Sequence, residues 1–227
     1  YFANHRSESD FFIDQYLTHG NSIFISKLKV GFFCFHYFPV SFISKSLLFF
    51  TRKKNKREAL YEQVDEYWKN SSYPSLLLYP EGTRHHGTES LPLKTGFIHY
   101  AYNRKIPIQI LISTNKEKVF SLQLKCSSRN TTVTVAYSKP IYPEDHADME
   151  SFKKCVNAVW NKTWEEAHDE TASAVDFFNY APTNIKYNKI LYLAVSFVLF
   201  FMNSYIYVRY PIFLLFPLLG LLQPRNS

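Results

Sequence analysis

The residues best suited to chemistry stand within the first ten, where Asn4-His5-Arg6-Ser7-Glu8-Ser9-Asp10 sets an imidazole and a carboxylate five positions apart. A neutral histidine can take a proton from an alcohol. A carboxylate on its other ring nitrogen would fix the tautomer and stabilise the imidazolium that forms. The same seven residues also read as a polar turn ahead of an apolar helix, and spacing alone does not separate the two. A second cluster, Tyr79-Pro80-Glu81-Gly82-Thr83-Arg84, follows the apolar run Leu76-Leu77-Leu78 and so lies where a buried strand enters a loop.

Taken together, the two motifs are specific. Asn-His-x-Ser-x-x-Asp followed about seventy residues later by Pro-Glu-Gly-Thr-Arg resembles the glycerolipid acyltransferase family, the 1-acylglycerol-3-phosphate (lysophosphatidate) acyltransferases and their relatives, over about Ala3 to Trp164. Ile25-Ser26-Lys27 leading to Thr51-Arg52 resembles the family's second block. Leu93-Lys94-Thr95-Gly96-Phe97 and Ile106-Pro107-Ile108 resemble its third and fourth blocks, with Gln109 where the family often has a second proline. The resemblance implies an α/β fold with a mostly parallel mixed sheet flanked by helices, as in glycerol-3-phosphate acyltransferases. It also implies a membrane-bound enzyme that moves a fatty acyl group from acyl-CoA, a co-substrate rather than a cofactor, to a lysophospholipid hydroxyl. His5 would be the base and Asp10 its orienting partner. Glu81, Gly82, Thr83 and Arg84 resemble the acceptor-binding loop, with Arg84 on phosphate; Glu81, which would repel phosphate, is expected to orient Arg84 or a backbone amide. Arg52 resembles a phosphate-contacting arginine, and Lys94 is the remaining substrate-binding residue. Two other readings share these motifs: a silent, structural subunit of a membrane protein assembly, and a transacylase remodelling phospholipid or cardiolipin.

Composition is compatible with those expectations. The 227 residues suit one catalytic domain with a short appendage. A net charge of +7 favours anionic partners such as acidic headgroups or phosphorylated substrates, and no nucleic-acid-binding module is recognisable. Cys34, Cys126 and Cys155 are odd in number and without metal-ligand spacing, and His85-His86 has no third spaced ligand, so no metal site is expected. Gly82 to Thr88 lacks the Gly-Lys-Ser/Thr ending of a phosphate loop, and no Gly-x-Ser-x-Gly elbow occurs to support a covalent acyl-enzyme.

The elements that must position these residues follow from periodicity. A helix should begin at Asp10 and close at His19-Gly20-Asn21, ahead of a short buried strand at Ile23 to Ile25. Val30 to Phe50 reads as an interfacial or buried helical segment interrupted by Pro39 and Lys45. Arg52 to Arg57 holds five cations in six positions, suited to anionic lipid or the phosphates of coenzyme A. Leu60, Val64, Tyr67 and Trp68 share one helix face, Gly96 opens another helix, and Ile106 to Ile112 is a second buried strand. Strand, loop, helix, strand implies a right-handed parallel unit. Phe120 to Leu124 and Val133 to Tyr137 alternate like edge strands about a turn at Cys126 to Thr131. Asp145 or Asp148 would cap a helix ending near His168. The catalytic domain is thus residues 1–170 and the linker 171–189, with 190–227 a hydrophobic membrane segment. Ile190 to Val208 carries no charge and as a helix is about 28 Å long, against a hydrocarbon core of about 30 Å. Pro211 to Leu222 reads as re-entrant or interfacial. The lipid bilayer is therefore an expected partner, in endoplasmic reticulum or mitochondrial inner membrane, which the sequence does not distinguish.

Overall fold

Alternating side-chain burial along four strands explains the architecture. The computed structural model describes residues 1–27, 45–50, 57–121, 124–128, 131–169, 201 and 205. Phe2, Ile23, Ile25, Leu76, Leu78, Ile110 and Ile112 belong to one apolar cluster, whereas Ala3, Phe24, Leu77 and Leu111 belong to another. Successive residues of a strand face opposite sides of a sheet, so both faces are covered and the strands read as unbroken apolar runs.

The first ladder runs β3 (Leu47–Phe50), β2 (Ser22–Lys27), β4 (Ser75–Leu77), and the second runs β1 (Phe2–Ala3), β5 (Ile110–Ser113), β8 (Val135–Tyr137). A parallel bridge from Phe2 to Leu78, with the Ala3 amide donating to the Leu78 carbonyl at 2.9 Å, joins the two at β1 and β4. β2 with β4 and β1 with β5 are parallel, and β8 is antiparallel to β5. The carboxyl ends of β4, β1 and β5 therefore share one sheet edge.

Helices α2 (Arg57–Lys69), α3 (Gly96–Asn103) and α5 (Met149–His168) supply Tyr61, Val64, Ile98, Tyr100, Phe152, Val156, Trp160 and Trp164 to the first cluster. Helix α1 (Asp10–Leu17) supplies Leu17, Phe11 and Ile13 to the second. It closes as expected through left-handed His19 and Gly20, at φ of 55° and 72°. Of the two capping candidates, Asp148 acts: its side chain accepts from the Ser151 amide at 2.7 Å in a capping box.

Three expectations are corrected. Leu47–Phe50 is a strand rather than the end of a helical segment, because the Phe24 amide donates to the Ser46 carbonyl and draws this stretch onto β2. The rest of that segment, residues 28–44, lies outside the described residues. Val135–Tyr137 pairs with β5, while Phe120–Ser121 (β6) pairs with Cys126–Ser127 (β7), so Cys126 is in a strand and not in the turn. A left-handed Lys125 at φ 51° reverses the chain soon enough for that short hairpin. Finally, β5 begins at Ile110, because Ile108 is held by a bridge to Ile141 instead.

The chain divides into two compact units, residues 1–25 with 45–173 and residues 26–44 with 174–227. In the second, the expected membrane segment falls outside the described residues except Phe201 and Tyr205, which are helical and exposed. Among the described residues no helix is long and apolar enough to cross a membrane.

Phe152 is fully buried on α5, between the sheet and α3. Phe152→Ala should cost about 3–5 kcal/mol of stability, read as a lower urea midpoint at unchanged m-value.

Candidate active site

The edge at which β4, β1 and β5 end carries both sequence motifs. β1 delivers Asn4 and His5, β4 runs into the loop Tyr79 to Arg84, and β5 leads through Ser113 to the short helix α4 (Lys116–Val119). Asn4 fastens the first piece to the third: its side chain donates to the Ser113 carbonyl and accepts from the Ser113 amide, both at 2.9 Å.

His5 Nδ1 lies 2.7 Å from Asp10 Oδ2. With Asp10 ionised, Nδ1–H donates and Nε2 is left as the ring's proton acceptor. Asp10 is 1 % exposed and also gathers the turn before it, Oδ2 accepting from the Arg6 amide at 2.5 Å and Oδ1 from the Ser7 amide at 3.0 Å. Burial pushes its carboxyl upward, but the Lys116 charge together with the His5 and Arg6 hydrogen bonds prevails and holds it below the ordinary carboxylate value. Its place in the first turn of α1 favours the same charge. The Tyr79 ring stacks on the imidazole, centroids 4.4 Å apart and planes 17° from parallel, so the ring cannot tip towards β4.

Glu81 is 2 % exposed, with Oε2 accepting from the His5 amide and Oε1 from the Leu91 amide, each at 3.2 Å. Burial raises its pKa, and those two amides oppose the rise. The residue thus ties the base to its loop. Gly82 turns the loop at φ +72°, and a Cβ there would meet Lys94 Cε at 3.2 Å, so both the backbone and the space call for glycine. The Lys94 side chain is exposed beside it, its amide donating to the Pro80 carbonyl at 2.8 Å. Thr83 and Arg84 are exposed, and Arg84 pairs with Glu8, two residues before the Asp10 carboxylate. His5, Asp10, Glu81, Gly82, Arg84 and Lys94 are therefore neighbours. Arg52 lies outside the described residues. The adjacent histidines are used within the loop, His86 Nε2 donating to the Arg6 carbonyl at 2.6 Å and His85 Nε2 to the Glu89 carbonyl at 2.8 Å.

Residues 1–112 match the family model described as Acyltransferase. Those 112 residues, just under half of the chain, are similar to that family. Among similar proteins, the 1-acyl-sn-glycerol-3-phosphate acyltransferase of Escherichia coli (strain K12) is 26% identical over 120 residues, covering 52% of this chain and 48% of that one. The protein of the same name from Cocos nucifera is 36% identical over 74 residues, covering 31% and 23%. The one from Limnanthes douglasii is 31% identical over 88 residues, covering 38% and 31%. The chain thus spans less than half the length of these relatives. Its fold is similar to the crystal structure of the 1-acyl-sn-glycerophosphate (LPA) acyltransferase PlsC from Thermotoga maritima. The TM-score is 0.55 at 18% identity, over 76% of this chain and 67% of that one.

Four further residues around this site escaped the sequence. Asp14 stands one turn after Asp10 on α1, a spacing that could have pointed to it, but Tyr79, Lys116 and Glu117 reach the dyad only through the fold. Tyr79 Oη donates to Asp14 Oδ2 at 2.9 Å, and buried Arg6 grips Glu117 through Nε at 2.6 Å and Nη2 at 2.9 Å.

Glu81→Gln keeps the size of that side chain but replaces one acceptor oxygen with an amine that must face a backbone N–H. The loss of a charged acceptor bond should cost about 1.5–3 kcal/mol, and amide hydrogen exchange at His5 and Leu91 should quicken by about tenfold or more.

Proposed function

We propose that this chain transfers a fatty acyl group from acyl-CoA to the hydroxyl of a lysophospholipid, converting lysophosphatidate to phosphatidate. The single observation that carries the reading is the 2.7 Å contact of His5 Nδ1 with the buried Asp10, beside a loop that presents Arg84. His5 Nε2 takes the acceptor's hydroxyl proton as the oxygen attacks the thioester carbonyl carbon. The tetrahedral adduct then collapses, the C–S bond breaks, and the leaving sulfur receives the proton from the imidazolium. The products are the new ester and free coenzyme A thiol. Asp10 keeps its charge and compensates the imidazolium.

Arg84 is exposed on the lip of this site, and a guanidinium offers a planar fork to phosphate oxygens. In this reading it turns from Glu8 to the acceptor phosphate. Lys94 and the cations of 52–57 serve the donor's phosphates. No cofactor enters the steps, and residues 1–170 carry them, with residues 190–227 as the bilayer anchor beyond a linker at 171–189. Endoplasmic reticulum and mitochondrial inner membrane both supply these substrates in a bilayer.

Purified chain in detergent micelles, given acyl-CoA and a panel of lysophospholipids, should release free thiol in proportion to product ester. His5→Ala should lower turnover by about 10² to 10⁴-fold while the chain still folds. No thiol release from the unsubstituted chain with any acceptor would overturn the reading in favour of a structural subunit. Arg84→Lys retains the charge but loses the fork, so the Michaelis constant for the acceptor should rise about tenfold while that for acyl-CoA stays within about twofold. A change confined to the donor constant would instead assign the loop to coenzyme A.

A further inference from the structure

Beneath the dyad lies a lysine that the steps above do not use. Lys116 is 0 % exposed, and its ammonium donates to the Asn4 carbonyl at 2.7 Å and to both oxygens of Asp14 at 3.0 Å. The same nitrogen lies 3.8 Å from Asp10 Oδ1, close enough for charge but not for a hydrogen bond. Among the described residues, the groups placed against it come from several elements. Asp10 and Asp14 come from α1, His5 and the Asn4 carbonyl from the end of β1, and Tyr79 from the loop after β4, its ring centroid 5.9 Å from Nζ. On β8 the Tyr137 hydroxyl donates to the Leu17 carbonyl at 3.1 Å, and Glu117 beside Lys116 pairs with Arg6.

We propose that Lys116 is the positioning residue of the dyad and that Asp14 is its counter-ion, placed so that the lysine steadies Asp10 without cancelling its charge. The inference rests on the acyl-transfer reading for what the dyad does.

The charge count carries the argument. A buried ammonium needs a buried carboxylate, and one would serve a purely structural pair. Here two carboxylates share one lysine, so the cluster of Lys116, Asp10 and Asp14 has one net negative charge while His5 is neutral. Once His5 holds the acceptor's proton, the four groups sum to zero. The site is therefore electrically balanced in the proton-bearing state rather than at rest, which is the arrangement that favours proton uptake in a dry environment. The geometry adds a mechanical part. Lys116 holds the carbonyl of Asn4, the residue before the base, and Asp14, one turn beyond the base's partner, so it fixes both ends of the loop that forms the dyad.

The test uses the full chain with Lys116→Met and Asp14→Asn, each nearly isosteric. Lys116→Met should lower kcat about 10- to 100-fold with both Michaelis constants within about threefold, and should broaden or shift the downfield Nδ1 proton of His5 in the nuclear magnetic resonance spectrum. Asp14→Asn leaves the Lys116 charge uncompensated against the imidazolium, so the acidic limb of the pH–activity profile should move to lower pH by about one unit. The inference is overturned if both variants fold and retain the unsubstituted kcat, pH profile and Nδ1 signal. It is equally overturned if the variants lose only thermal stability, or if neither folds, since the cluster would then serve the fold. Where Lys116→Met alone fails to fold, Asp14→Asn decides. Absence of thiol release from the unsubstituted chain would sink the acyl-transfer reading, and the Nδ1 signal would still decide the role of Lys116.

Discussion

The parallel register of β4, β1 and β5 is the constraint on which the site depends. Parallel strands present their carboxyl ends at a common edge, and side chains just beyond those ends converge without any strand bending. β1 contributes only Phe2 and Ala3 to the ladder, yet it sits between the other two and sets His5 two residues past the strand. A base emerging from a two-residue strand needs anchoring, and backbone contacts supply it. The Glu81 carboxylate takes the His5 amide, and the His5 carbonyl accepts from the His85 amide at 2.9 Å. The imidazole is thus fixed through its main chain, its Nδ1 and its face.

Electrostatics then decides what the fixed ring can do. Asp10 and Asp14 lie on one helix face and are driven in opposite directions. Asp10 is held below its ordinary value, whereas burial raises Asp14 to about 6 despite Lys116. The difference follows from partners: Asp10 collects two backbone amides and the imidazole, while Asp14 has the lysine and one phenol. Asp14 gives up its charge as the pH falls through about 6, whereas the carboxylate that touches the ring keeps its own to lower pH. Beside this cluster, Arg6 and Glu117 compensate each other through a bidentate contact, and Arg6 donates further to the His86 and Gly87 carbonyls.

Much of this was legible in the residues. His5 and Asp10 stand five apart, which allowed the pair without deciding it, and the Pro80 to Arg84 motif about seventy residues later made it specific. The loop at Glu81 was legible because glycine, proline and charged residues follow an apolar strand. Asp14 and Lys116 were not, because they meet across 102 residues and each alone resembles an ordinary surface charge. The role of Glu81 was half legible: its charge excluded phosphate contact, but which amides it accepts depends on how β4 lies beside β1. The place of β8 as an antiparallel strand at the sheet's edge was legible, though not its partner. Alternation in Val133 to Tyr137 reports a strand with two faces and says nothing of its partner, and β5 offered a longer apolar edge than the polar hairpin nearby.

The shortness of β1 has a kinetic consequence. Its neighbours Leu78 and Ile110 are about 75 and 108 residues away along the chain, so no local contact holds it in place before the sheet exists. Closing loops of that length must precede any gain from the pairing, which makes such contacts late in folding. β2 and β4 can pair, and α3 can dock, while residues 1–10 are still loose. The base and the lysine beneath it therefore meet only through pairings that span about a hundred residues.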